Sequence, residues 1–271
     1  MTSNTARSLV KRAAAIADGF RPRHRGVVIL LYHRVGGRSG LQVDLPADLF
    51  ARQMEALAGD GRLTGLGDAL DALEHLETPS KDQVVVTFDD GTADFVDVAL
   101  PILERYSIPA TLYLATDHIE RGVPFPHDGV PLSWDALQDA LSSRLVTVGS
   151  HTHTHALLDR LPQRAVEEEL DRSVQLIGDR LGVAAVNFAY PKAVRGSASA
   201  EAAVRRRFRS AALGGNRVNR YGSADPFRLA RSPIQVSDGM RWFERKVEGG
   251  MRLEGTLREL LDSRRYAGVA Q

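Results

Sequence analysis

The chain has 271 residues, 43% of them hydrophobic, which suits one α/β domain with a large core. Its 35 Lys and Arg face 34 Asp and Glu, a balance that gives no reason, local clusters aside, to expect a nucleic-acid or polyanion partner. There is no cysteine, so disulfides and thiolate metal sites are excluded and any metal must be held by His, Asp or Glu.

The opening "MTSNTARSLVKRAAAIADGFRPRHRG" is basic and mildly amphipathic, with Arg7, Lys11, Arg12, Arg21, Arg23 and Arg25 against Asp18. It lacks the continuous apolar core of a secretory signal, and no apolar run approaches the ~18 residues of a membrane span. The expected location is therefore cytoplasmic, with weak peripheral contact to an anionic membrane as the furthest departure. Residues 1–25 read as a basic helical arm, 26–240 as the main domain and 241–271 as a C-terminal helical segment packed on it.

Strand and helix patterns then alternate. "GVVILLYH" at 26–33 is followed by helical spacing at Phe50, Met54 and Leu57 and again at Leu66, Leu70 and Leu73. Next come "QVVVTF" at 83–88, a helix with Val98, Ile102 and Tyr106 that Pro101 is expected to kink, and "ATLYLA" at 110–115. "LVTVGS" at 145–150 leads to a long helix, Gln163 to Leu181, bracketed by Pro162 and Gly182. "AVNFAY" at 185–190, "RSAAL" at 209–213 and "RSPIQV" at 231–236 complete the strands, and 36–44, 121–131 and 195–199 read as surface loops. The alternation predicts βα units around a parallel sheet or barrel.

In such folds the residues that end the strands gather around the active site. His33 ends the first strand, Asp89 and Asp90 the second, His151 to His155 the fourth, and Tyr190-Pro191-Lys192 the fifth. Adjacent carboxylates repel unless a cation neutralises one of them, and the other is then free to act as a base. A straight strand would aim Asp89 and Asp90 at opposite faces, so a turn at Gly91 is needed to bring both to one pocket. "GSHTHTHALL" supplies imidazoles: His151 and His155 stand four apart, the spacing of one face of a helical turn, with Thr152 placed to cap it and His153 on the other side. Two imidazoles and one carboxylate leave positions open for water and substrate, as a catalytic metal site requires. Zinc is the default for such donors, and iron, cobalt and nickel also suit them.

"TFDDG" and "SHTHTH" resemble the first two motifs of the polysaccharide deacetylase family (NodB homology, carbohydrate esterase family 4), and the likeness extends more weakly over residues 27–236. The resemblance implies a single α/β domain, a distorted (β/α) barrel of seven or eight strands, which removes N- or O-acetyl groups from glycans with one divalent metal. It also implies Asp89 as catalytic base and Asp90, His151 and His155 as metal ligands. The third motif differs. "FAYPKA" has Ala189 where the family often has an arginine that orients the base, and Lys192 and Ala193 stand where the similar variant "FAYPYG" has Tyr and Gly. Within Tyr190-Pro191-Lys192 the backbone N–H at Lys192 remains the expected oxyanion donor, since that contact needs no particular side chain. The orienting role passes to Arg231 in "FRLARSPIQV".

No histidine follows His155, so the family's late general acid is missing. "ILLYHRV" resembles an early segment of permuted members, which makes His33 the candidate acid; its other reading is a core histidine bonded to backbone. The expected substrate is an N-acetylated amino sugar in a glycan, glycolipid or saccharide precursor. The alternatives are an O-acetyl ester or a non-sugar amide or imide at the same centre, and a catalytically silent glycan-binding protein. Trp134, behind the N-cap Ser133, reads as packing, and His127 and Asp128 as an exposed turn near the pocket. Arg205, Arg206, Arg207 and Arg209 read as a solvated helix end, with an anionic substrate as the sharper alternative.

Overall fold

The computed structural model describes residues 2–19, 24–74 and 79–266, with residues 2–8 and 262–266 described as backbone only. The side chain of Arg7, and Arg21, Arg23 and residues 267–271 altogether, lie outside that description. The strands are β1 Gly26–Tyr32, β2 Arg34–Val35, β3 Asp44–Leu45, β4 Gln83–Phe88, β5 Ala110–Leu114, β6 Val146–Ser150, β7 Asn187–Ala189, β8 Ser210–Ala212, β9 Asn219–Arg220 and β10 Arg231–Pro233. Seven of them form one parallel path in the order β10-β1-β4-β5-β6-β7-β8, with β9 antiparallel on the outer start of β1 and β2-β3 a separate short pair. The two ends of the path meet: Leu229 N donates to Ala211 O at 3.0 Å, Leu213 N to Leu229 O at 2.7 Å and Gly215 N to Arg231 O at 2.9 Å. The expected distorted α/β barrel is therefore what forms, and all seven strand runs read from the sequence take part in it.

Strands covered on both faces must be apolar nearly throughout, which is why β1 reads "GVVILLY" with every residue buried. Alternation then sorts them. Val28, Leu30 and Tyr32 join Val84, Val86 and Phe88 in packing outward against helices, where Phe50, Met54 and Leu57 of the helix Ala47–Asp60 meet them. Val27, Ile29, Val85 and Tyr113 point inward, and Leu66, Ala69, Leu70 and Leu73 of the helix Leu66–Glu74 share their cluster. Each buried leucine there contributes about 1.5–3 kcal/mol. Pro101 lacks the N–H that would bond the Asp97 carbonyl, and a π-helical turn, Phe95–Ala99, precedes the helix Leu100–Arg105 at that point. The helix Gln163–Leu181 has the bounds expected of it, ending at Gly182 with φ 69°. No described helix is long and apolar enough to cross a membrane.

The two terminal helices, Thr2–Asp18 and Arg252–Tyr266, pack against each other. Lys11 of the first is 2% exposed, bonds Asp238, and lies 3.4 Å from Glu254 of the second. Lys246 Nζ reaches Asp238 at 2.8 Å, Glu254 at 3.5 Å and the Pro233 carbonyl at 2.7 Å. Burial would raise the Asp238 carboxyl, but Lys246 and Lys11 reverse that and hold it below the usual carboxylate range. A folded value below the unfolded one means this stabilisation is complete above about pH 4 and drains away as pH falls through the folded value. Asp238→Asn strands buried ammonium groups and is expected to cost about 3–5 kcal/mol at pH 7, with the gap from the native protein narrowing at pH 3.5. Urea unfolding at both pH values measures it; a loss under about 1 kcal/mol at pH 7 would reduce the cluster to a bystander.

Candidate active site

Inward-facing positions carry the chain to the chemistry. Ile29, Leu31 and His33 lie two apart along β1 and its exit, as do Val85, Thr87 and Asp89 along β4. Asp89 thus continues the inner face, and the turn that brings Asp90 to the same pocket begins at Asp90 itself, with φ 77°, followed by Gly91 at φ 94°. Aspartate tolerates this left-handed conformation better than most residues. A Cβ on Gly91 would meet Leu114 at 3.0 Å and Ile119 at 3.2 Å, so the turn has no room for a side chain.

The segment after β6 departs from expectation. Residues 151–156 form an irregular loop, not a helical turn, with Thr152 at φ 65° and His155 at φ 62°, and Thr152 caps nothing. The loop is held from outside: Glu169 accepts from the N–H groups of His153 at 2.9 Å and Thr154 at 2.8 Å and from the Thr154 hydroxyl at 2.7 Å. His153 turns away to Thr116, at 2.9 Å, while the rings of His151 and His155 lie 5.0 Å apart. Glu169 belongs to the run Glu167–Glu169, whose acidity gave no sign of this task.

Ligand atoms from Asp90, His151 and His155 all lie within 4.8 Å of one another. His155 Nε2 is 3.4 Å and His151 Nε2 3.7 Å from Asp90 Oδ1. The donors fit a divalent cation in protonation as well as position. His151 Nδ1 bonds the Ala189 carbonyl at 2.7 Å, which assigns the proton to Nδ1 and leaves the Nε2 lone pair aimed at Asp90. Burial pushes the His155 imidazole down to about 3 against the pull of Asp90, so that ring is neutral. Burial would raise the Asp90 carboxyl, but the neighbouring imidazoles and Lys192 hold it well below its usual range.

Asp89 is held differently. Arg231, fully buried on β10, donates to Asp89 Oδ1 at 2.6 Å and Oδ2 at 2.7 Å, a two-point grip across the intervening β1. Its guanidinium also donates to Leu213 O at 3.3 Å and lies 5.2 Å from the Tyr113 ring centre. Burial raises the Asp89 carboxyl, and Arg231 and His151 more than reverse it, so Asp89 stays ionised. Its Oδ2 is 3.7 Å from His151 Nε2, which sets this arginine-held carboxylate beside the three candidate donors.

These groups open into a cleft of about 470 Å³ lined by Asp89, Asp90, His155, His33 and Lys192. His33 is half-buried, burial pushes its ring pKa down against the pull of Asp90 and Asp89, and its Nδ1 has no hydrogen-bond partner, so the backbone-bonded alternative is not seen at that nitrogen. Of Tyr190-Pro191-Lys192 only Lys192 lines the cleft. The Tyr190 ring is 1% exposed and packs edge-on to Phe188 in a separate core cluster, so its side chain is not a substrate contact, and Pro191 is buried behind it. The chain turns sharply there, with Lys192 at φ 54° and Ala193 at φ 57°.

Residues 125–129 overhang the cleft as a tight turn that places His127 on its wall and Asp128 in solvent. Arg34 fixes this turn, donating to the carbonyls of His127 at 3.0 Å and Pro126 at 2.7 Å, and Gly129 has no Cβ because Arg34 occupies that space. Trp134 donates to Glu120 at 2.7 Å and packs on the barrel behind its Ser133 cap. The arginine run is matched by acids: Arg205 with Asp225, Arg206 with Glu167, Arg207 with Asp171 and Arg209 with Asp71. It makes a solvated face and no site.

A parallel barrel whose rim sets two imidazoles and a carboxylate that could hold a metal beside an arginine-held carboxylate suits a hydrolase. Comparison with known proteins narrows this class: the polysaccharide deacetylase family profile matches residues 76–210, and the chain belongs to that family. Bacillus subtilis YxkH, named as a polysaccharide deacetylase, is 26% identical over 164 residues, 60% of this chain and 55% of that protein. The poly-beta-1,6-N-acetyl-D-glucosamine N-deacetylase of Staphylococcus epidermidis is 36% identical over 110 residues, 40% of this chain and 37% of that protein. The matches thus span about half or less of those relatives. The Streptococcus pyogenes deacetylase PplD, solved with acetate, shares the fold with a TM-score of 0.72 at 21% identity, covering 83% of this chain and 99% of that one.

Proposed function

We propose that the protein removes N-acetyl groups from an amino sugar within a glycan, glycolipid or saccharide precursor. The observation that carries this reading is the buried Asp89, ionised by Arg231 and 3.7 Å from a ligand nitrogen of the three-residue centre. The N-deacetylase named among the relatives supports the choice of bond.

A divalent cation held by Asp90, His151 and His155, zinc by the donor set, would supply polarisation of the acetyl carbonyl and acidification of water. Asp89 accepts the proton as water attacks, and Arg231 keeps that carboxylate charged and fixed in direction until then. The backbone at Lys192, on the cleft wall, is the proposed donor to the developing oxyanion. His33, which also lines the cleft and is neutral at rest, is the proposed relay that passes to the leaving amine the proton Asp89 took from water.

An acetate-release screen over N-acetylated and O-acetylated saccharides, with bound metal assayed alongside, tests the reading. Acetate from N-acetylated substrates supports it; release only from O-acetyl esters would move it to an esterase, and metal without any release to a silent binder. His33→Ala is expected to lower kcat by about 10²–10⁴-fold with metal content unchanged. Unaltered turnover in that variant would return His33 to a structural part.

A further inference from the structure

The cleft carries positive charge that deacetylation of a neutral sugar does not require. Lys192 stands exposed on its wall, and none of the ion pairs among the described residues includes it. Its backbone is not free to swing away, because Ala193 N bonds Tyr190 O at 2.9 Å and Val194 N bonds Pro191 O at 3.1 Å across the left-handed turn. Its charge is close enough to act on Asp90, His155 and His33.

The C-terminal helix Arg252–Tyr266 brings Gly255, Arg258 and Glu259 to the same cleft. Glu259 is 3.0 Å from Arg217, so its charge is taken up there. Arg258 donates to Gln235 Oε1 at 3.0 Å and lies 3.5 Å from Glu254. That carboxylate is shared with Lys11 at 3.4 Å and Lys246 at 3.5 Å, while Asp238 serves the same two lysines. Among the described residues Lys11, Lys246 and Arg258 therefore face Asp238 and Glu254, three cations against two carboxylates. Both lysines are buried, and the side chain of Arg258 is 27% exposed, so the unmatched charge surfaces in the cleft. A guanidinium fixed by its neighbours is preorganised for two-point contact with a phosphate or carboxylate, and a nearby lysine adds a point charge.

We infer that the sugar taken by this cleft carries an anionic substituent, a phosphate or a carboxylate, beside the acetylated unit, and that Lys192 and Arg258 read it. The inference rests on the deacetylase reading above and narrows its substrate class. It is tested by kcat/KM for acetate release from three probes: N,N′-diacetylchitobiose, the same disaccharide with a 1-phosphate, and a disaccharide of N-acetylglucosamine and glucuronate. A charged probe is expected to be preferred over the neutral one by about tenfold, and whichever of the two wins names phosphate or uronate as the source. Lys192→Gln and Arg258→Gln are each expected to cut that ratio several-fold, mainly through KM, whereas Lys192→Arg keeps it; raised salt should shrink it as well. Equal rates on all three probes, or a ratio that survives both glutamine variants, would overturn the inference and leave the deacetylase reading standing. Silence on every probe would bring down both.

Discussion

Asp89→Asn is expected to lower kcat by about 10²–10⁴-fold while the metal bound per chain stays at the native level. The amide keeps the shape of the carboxylate but accepts no proton, and none of the three ligands is touched. A second effect comes with it, because Arg231 has no exposure to solvent and loses its only ion-pair partner among the described residues. About 3–5 kcal/mol of stability is expected to go, so turnover is to be measured on protein shown to be folded, with thermal unfolding recorded in parallel. Native turnover in folded Asp89→Asn would remove this carboxylate from the chemistry altogether.

Asp90→Ala and His155→Ala are each expected to leave less than about a tenth of the native metal and no detectable acetate release, since either change leaves two donors of three. These two positions report more cleanly than His151, whose ring also ties the loop after β6 to the Ala189 carbonyl. Elemental analysis of the purified variants decides the matter. A variant that holds both its metal and its activity would show that the ligand set has been misassigned.

The parts of the fold that periodicity governs were readable in advance. β1, β4 and β5 announced themselves as largely apolar runs, because a strand covered on both faces has few polar positions to blur the signal. Gln163–Leu181 was bounded to the residue by Pro162 and Gly182. Spacing misled at His151 and His155, where a four-residue interval is equally well served by a loop that Glu169 holds from outside. Arg34, Glu169 and Arg258 drew no attention as single charged residues, since each acts through partners 92, 16 or 23 positions away that only folding brings near. The Lys11–Asp238 contact spans 227 positions and has no local signature either.

The candidate donors Asp90, His151 and His155 issue from the ends of β4 and β6, with β5 between them, whereas Arg231, which grips Asp89, lies on β10, the last strand in the chain. The two-point grip on Asp89 thus joins residues 142 positions apart, and it exists only when β10 is seated beside β1, so the charge state of that carboxylate depends on closure of the whole path.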